Sequence, residues 1–301
     1  MINKINRSLE ALPGKNLEDL SIIGSWLFQK SSKTQRYYRR IIKEFFSFYP
    51  NLYIKTTQIT HLSLFIKTFG DHADSTRNTY KNALASLFSF AQKTGYIERN
   101  PALMLDSIKT PDRLYSKVLS REQMEQMILK EKNERNRLIL KIFYFTGVRV
   151  DELCQLRKKN IQKTSADAYY LLVEGKGKKV RSINLPSHLV IDIFNYAEKI
   201  STFFLFTSGL FHGKELIEKP LNPSQVFRIV RAAAKNAKVS VMPSPHWLRH
   251  TCATHSIEAG APIHVVQKTL GHESISTTGK YLDIRPKESA GDYLKKIDEA
   301  I

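Results

Sequence analysis

Residues 245–281 read PHWLRHTCATHSIEAGAPIHVVQKTLGHESISTTGKY. Apolar residues recur at helical spacing over 247–259 and 262–269, and a third helix is expected over 274–282. On the first of these helices His246 and Arg249 stand three apart and share a face. His272 follows the second helix in a Leu-Gly-His turn, and Tyr281 follows nine residues later. A stretch that sets two histidines, an arginine and a tyrosine on successive short helices fixes both a helical fold and a candidate chemistry.

Working outward, helices are expected at 187–199 and 223–237. The period changes over 168–185, where AYYLLVEG, KGKK and VRSINL read as strand, tight basic turn and strand. Before it, Ser120 with Glu122 and Gln123 behind it signals a helix start. A further helix over 134–146 ends at Gly147, and the chain is expected to be helical again over 151–158. Residues 109–118, KTPDRLYSKV, carry Pro111 and charges without a period, as a linker does. The first hundred residues read as helices at 17–30, 33–49 and 59–69. Another is capped at Ser75, with Thr79, Tyr80, Ala83, Leu84, Leu87, Phe88 and Ala91 on one face, and ends at Gly95. Asn100-Pro101 opens a short segment. The expected fold class is mainly α: a helical domain over 1–108, a linker over 109–118, and a mostly helical domain over 119–301 with a small antiparallel sheet.

The chain has 301 residues, with 47 Lys and Arg against 28 Asp and Glu, a formal net charge of +19. Such an excess favours a polyanionic partner, usually nucleic acid. Residues 1–110 hold 16 basic and 8 acidic residues and the remainder holds 31 and 20, so both halves are basic. Lys33, Arg36, Arg39, Arg40 and Lys43 recur at helical spacing as a phosphate-facing stripe, while Tyr37, Tyr38, Phe45 and Phe46 are expected in the core. No stretch approaches the roughly 18 apolar residues of a membrane span. The start, MINKINRSLEALPGKN, lacks the apolar core of a secretory signal, so a cytoplasmic location without membrane contact is expected. The two cysteines, Cys154 and Cys252, lack metal-ligand spacing and read as buried free thiols. His246 and His250 have the i, i+4 spacing of a metalloprotease helix, but position 247 is Trp where that motif needs a glutamate. Zinc is therefore not expected, and His250, His255 and His264 read as structural.

Breaking a phosphodiester without a metal spreads negative charge over the non-bridging oxygens, which bidentate guanidiniums suit best. A nucleophile must attack in line, and a general acid must protonate the leaving oxygen. Candidates for these roles are Arg149 in TGVRVDEL, Lys176 in the EGKGKK turn, His246, Arg249, His272 and Tyr281. Glu152 is expected to orient an arginine rather than to react.

The succession TGVRVDEL, EGKGKK, HWLRHTCATH, LGHESISTTGKY resembles the tyrosine recombinase and phage integrase family, including its Xer-type members, over roughly residues 115–285. The N-terminal half resembles that family's core-binding domain only in being small, helical and basic. The resemblance implies that Arg149 and Arg249 clamp the scissile phosphate and that Tyr281 attacks it, leaving a 3′-phosphotyrosyl bond. It implies that Lys176 protonates the departing 5′ oxygen and that His246 accepts the phenol proton or helps hold the phosphate. His272 would then donate a hydrogen bond to a phosphate oxygen. It further implies no metal, ATP or other cofactor. The implied partner is a double-stranded DNA recombination site held in a C-shaped clamp, with four protomers exchanging strands through a Holliday junction. The expected task is Xer-like chromosome-dimer resolution or mobile-element integration and excision. A type IB topoisomerase-like relaxase, a non-catalytic sequence-specific DNA-binding protein and a helical adaptor for an acidic protein are the other readings.

Two positions depart from the family pattern. Gly279 stands where a helix-compatible polar residue is usual, at a cost of about 1 kcal/mol in a helix interior. Thr269 stands where a larger apolar residue is common. Both suggest a loosened Tyr281 segment. A polar helix over 287–301, with Tyr293, Leu294, Ile297 and Ile301 on one face, is expected to dock on a neighbouring protomer or on its own domain.

Overall fold

The computed structural model describes residues 16–108, 115–164, 168–175, 179–208, 210–212 and 215–281, with the backbone alone at 210–212, 215–217 and 276. The chain divides into two compact units, Met1–Pro111 and Asp112–Ile301. Among the described residues no helix is long and apolar enough to cross a membrane.

The N-terminal unit is built from α1 (Leu17–Phe28), α2 (Ser32–Phe48), α3 (Ile59–Lys67) and α4 (Asp74–Lys93), followed by a 3-10 turn at Pro101–Met104. Asn16 caps α1 by accepting from Asp19 N, and Ser31 caps α2 by accepting from Thr34 N. α4 begins at Asp74 after Ala73, one residue before the expected Ser75 cap. Asp74 pairs instead with Arg77 one turn on, and an acid there favours the positive end of the helix. Tyr80, Ala83, Leu84, Leu87, Phe88 and Ala91 are buried, so that face lands in the core, with Thr79 at its edge. They pack against Trp26, Phe45, Phe46 and Phe65. Each large side chain of this kind stabilises the fold by about 1.5–3 kcal/mol on burial. Tyr37 departs from expectation: it is 39% exposed, and Arg40 stacks over its ring at 5.0 Å. The fully buried carboxylate of Asp19 accepts from Ile54 N at 3.1 Å and from the Tyr96 hydroxyl at 2.8 Å. Lys33, Arg36, Arg40 and Lys43 lie on the exposed side of α2 and Arg39 is half-buried.

The C-terminal unit opens with a 3-10 turn at Tyr115–Lys117, then α5 (Arg121–Lys130), α6 (Glu134–Thr146) and α7 (Val150–Cys154). Leu119, the first residue after the expected linker, is tied into this unit, its N donating to Thr251 Oγ1 at 3.0 Å. Ser120 and Gln123 form the capping box of α5. The expected helix over 151–158 stops at Cys154 and the chain turns to strand β1 (Ile161–Lys163), which pairs antiparallel with β2 (Tyr169–Glu174), itself paired with β3 (Val180–Leu185). Val173, Leu171, Ile183 and Leu185 turn inward, while Tyr170 and Ser182 face out. α8 (Ser187–Glu198), a hairpin of β4 (Leu210–His212) and β5 (Glu215–Ile217), and α9 (Pro223–Asn236) follow. β1 and the β4–β5 hairpin were missed by sequence reasoning because three-residue strands show no period.

The unit ends in α10 (Pro245–Glu258), α11 (Ile263–Leu270) and α12 (Ile275–Gly279). α10 is central: Leu248, Arg249, Thr251, Cys252, Ala253, Thr254 and His255 are all buried. α12 is shorter than expected, since Gly279 is its last residue. The glycine therefore closes the helix rather than interrupting it, and the cost of an interior glycine does not apply. Cys154 and Cys252 are buried free thiols as expected. The 287–301 segment lies outside the described residues.

Candidate active site

Two glycine turns define the site. α6 ends at Gly147, in the left-handed region at φ 58°, with its N–H on Phe143 O. A Cβ there would lie 2.6 Å from Leu270 Cδ2 and 3.2 Å from Cys252 Sγ, so only glycine lets α10 and α11 approach this closely. α11 ends at Gly271, φ 66°, with Gly271 N on Lys268 O and His272 N on Gln267 O, the paired bonds of a Schellman closure.

That closure leaves the last carbonyls of α11 without helical partners. Three guanidiniums take one each. Arg181 Nε donates to Thr269 O at 2.8 Å, Arg249 Nη2 to Leu270 O at 2.7 Å, and Arg149 Nη2 to Gly271 O at 3.2 Å. The partial negative charge of a helix C-terminus attracts cations in this way. Arg249 also donates through Nη1 to Gly147 O, so both glycine turns hold it, and it is only 2% exposed.

Glu152 links two of the three. It accepts from Arg149 N at 2.7 Å and Arg149 Nη1 at 3.0 Å, and bidentately from Arg181 at 2.9 and 2.8 Å. Burial works against its charge, but the Arg181 and Arg149 contacts prevail and hold its carboxyl down at about 2. Burial, then the neighbouring Arg149, pulls the Arg249 guanidinium down to about 10. Among the described residues three guanidiniums gather about one buried carboxylate, Glu152, and this surplus of positive charge suits an arriving anion.

Tyr281 closes the group. Its N–H bonds Thr278 O, and its ring is 4% exposed in an apolar cluster with Ala253, Val266 and Leu270. The hydroxyl lies 2.8 Å from His250 Nδ1. His272 lies parallel to the Tyr281 ring at 6.3 Å, and its Nδ1 is 2.9 Å from Thr278 Oγ1. His246 packs edge-on against His250 at 4.4 Å. Burial, reinforced by nearby cations, lowers the pKa of all three histidines: His250 to about 3, His272 to about 4, and His246 in the same direction. His250 and His272 are therefore neutral at neutral pH.

Five of the six candidates, Arg149, His246, Arg249, His272 and Tyr281, thus gather around the α6, α10 and α11 termini. Lys176 lies outside the described residues. On either side of it Gly175 N donates to Lys179 O at 2.8 Å, and Lys179 pairs with Glu273 beside His272. Two partners were missed in the sequence. His250 was read as structural, yet it is the residue on the phenol. Arg181 was not among the candidates for the site, yet it shares Glu152 with Arg149. The only sequence signal for Arg181 is its strand position, five residues beyond Lys176. His255 bonds the Tyr144 hydroxyl at 3.1 Å, away from this group, and His264 is exposed. Among the described residues no three His, Cys, Asp or Glu side chains are grouped to hold a metal ion.

A mainly helical unit with a small antiparallel sheet thus gathers three arginines, three histidines and a tyrosine at one point, the residue types that metal-free phosphodiester chemistry asks for. The chain belongs to the phage integrase family of site-specific DNA recombinases, whose sequence model matches residues 117–288. It is 31% identical over 267 residues to a tyrosine recombinase of Pseudothermotoga lettingae, covering 86% of this chain and 90% of that protein. Tyrosine recombinase XerA of Pyrococcus furiosus is 34% identical over 215 residues, 70% of each chain. The fold matches a lambda integrase tetramer bound to a Holliday junction with TM-score 0.70 and 19% identity, covering 90% of this chain and 78% of that one.

Proposed function

We propose that this recombinase cleaves and rejoins DNA at a specific duplex site through a 3′-phosphotyrosyl intermediate on Tyr281. The observation that carries the reading is the surplus of guanidinium charge among the described residues, three about the buried carboxylate of Glu152, gathered beside a buried tyrosine. Arg149 and Arg249 bind the non-bridging oxygens of the scissile phosphate, where charge builds in the transition state. His272 donates a further hydrogen bond to that phosphate. The Tyr281 oxygen attacks phosphorus, the bond to the 5′ oxygen breaks, and Lys176 supplies the proton to that oxygen. His246 accepts the phenol proton or helps hold the phosphate. At rest the phenol is held by His250, whose Nδ1 lies 2.8 Å from its oxygen. Ester energy is kept in the phosphotyrosine, so attack by a partner strand's 5′-hydroxyl reverses the step with no external energy source.

In this reading residues 1–108 form a core-binding domain, 109–118 a linker and 119–301 the catalytic domain. Basic residues of both contact one duplex, and four protomers assemble on paired sites. Similarity to a relative named XerA supports a Xer-like role, with integration or excision of a mobile element as the neighbouring possibility within the same chemistry.

The test is incubation with a pool of nicked suicide duplexes of random sequence around the nick, followed by capture of protein-linked DNA under denaturing conditions. The full chain is expected to yield adducts of a shared sequence with a free 5′-hydroxyl, and Tyr281→Phe to yield none. Adducts persisting in Tyr281→Phe, or linkage to a 5′ phosphate, would refute the proposal. Sequence-independent relaxation of supercoiled plasmid without a shared site would favour a relaxase instead.

A further inference from the structure

We propose that Arg181 is a positioning residue for the cleavage reaction. It acts through Glu152 and the C-terminal turn of α11 to aim Arg149 at the scissile phosphate. The inference rests on the function just proposed.

Arg149 lies on the rim, with its side chain 38% exposed, whereas Arg181 is 11% exposed and Glu152 5%. A long, half-exposed cation at an anion site loses side-chain freedom each time it engages a phosphate. Two acceptors restrain it here, Glu152 Oε1 and Gly271 O. Arg181 holds both. Its Nη1 and Nη2 grip the two oxygens of Glu152, which fixes the carboxylate plane, and its Nε holds Thr269 O, two residues before Gly271. The Arg181 stem also lies under Gly271, where a Cβ would meet Cδ at 3.0 Å and Nε at 3.2 Å. One planar guanidinium thus ties strand β3, the start of α7 and the end of α11 together, which the single ammonium of a lysine cannot reproduce. The charges also balance in a useful way. Glu152 is shared between Arg181 and Arg149, so its one negative charge is not spent on Arg149 alone.

The experiment uses a nicked duplex recovered from the covalent pool and measures single-turnover adduct formation by the full chain. Variants are Arg181→Gln and Arg181→Lys, with Arg149→Ala as the reference. Each is measured on an ordinary substrate and on one bearing a neutral methylphosphonate at the cleaved position. Arg181→Gln is expected to slow adduct formation by about 10–100-fold, the cost of misplacing a catalytic group, with DNA affinity within about twofold. Arg181→Lys should fall between Gln and wild type. On the methylphosphonate both the Arg181 and the Arg149 penalties should shrink together, because no phosphate charge remains to be met. A merely structural Arg181 would slow both substrates equally, and that result, or an unchanged rate, overturns the proposal. If Arg181→Gln does not fold by circular dichroism, Arg181→Lys is judged by the same ratio. A wild-type chain that forms no adduct overturns the proposed function and this inference with it. A wild-type chain that does, with Arg181 indifferent, overturns the inference alone.

Discussion

Burial of His250, whose Nδ1 lies 2.8 Å from the Tyr281 hydroxyl, is a main source of the pH response of this protein. His250 titrates near 6.5 when free but near 3 when folded, chiefly because burial disfavours its charged form. The unfolded chain therefore takes up the proton first as pH falls below about 6.5. The stability given by the neutral ring is full above that value and is lost as pH drops toward 3. His272, at about 4 in the fold, adds in the same direction. Glu152, at about 2 against an ordinary 4.5, keeps its contribution down to about pH 4.5, so a scan from pH 7 to 5 reports the histidines. The melting temperature, followed by circular dichroism at constant ionic strength, is expected to fall over that range. It should fall less steeply in His250→Gln, which retains a polar partner for the phenol but cannot titrate. A stability that rises on acidification would contradict the assignment.

Helix ends do more here than helix middles. α6 and α11 both finish in left-handed glycines, and their freed carbonyls receive the guanidiniums. The tightest point is Gly147. Replacing it with Ala forces a left-handed alanine and drives a methyl into Leu270 and Cys252. The expected loss is about 2–4 kcal/mol, the sum of left-handed strain and overpacking, read as a lower denaturation midpoint. Because Leu270 also packs on Tyr281, adduct formation should fall even in the folded fraction. A shift below about 0.5 kcal/mol would mean that the α6–α11 approach can relax freely.

At the level of the whole molecule, two separately cored units carry the charge. Residues 1–110 are +8 and the remainder +11, and each cation set against a phosphate releases counterions. If both units touch one duplex, the fall of log affinity with log salt should be steeper for the whole chain than for residues 112–301 alone. Fluorescence anisotropy on one duplex at several salt concentrations measures this. Equal slopes would assign DNA contact to the C-terminal unit only. Each unit has its own buried apolar cluster, which is the physical ground for expecting the shorter chain to fold.

The amino-acid sequence by itself determined the helical class, most helix positions and the Ser120 cap, because periodicity and capping are local properties, and it singled out five of the residues that gather at the candidate site. It also located Gly147 and the turn before His272. Short strands escaped it, as did the end of α7, where the tertiary contacts of β1 override a helical pattern. Which acceptor each arginine takes was decided only by the folded chain. The bonds from Arg149 to Gly271, Arg181 to Thr269 and Arg249 to Leu270 join positions 122, 88 and 21 residues apart. The same holds for His250, whose partner Tyr281 is 31 residues away. No local pattern encodes such pairings, since they exist only once α6, α10 and α11 pack closely enough for one helix terminus to offer its spare carbonyls to three cations.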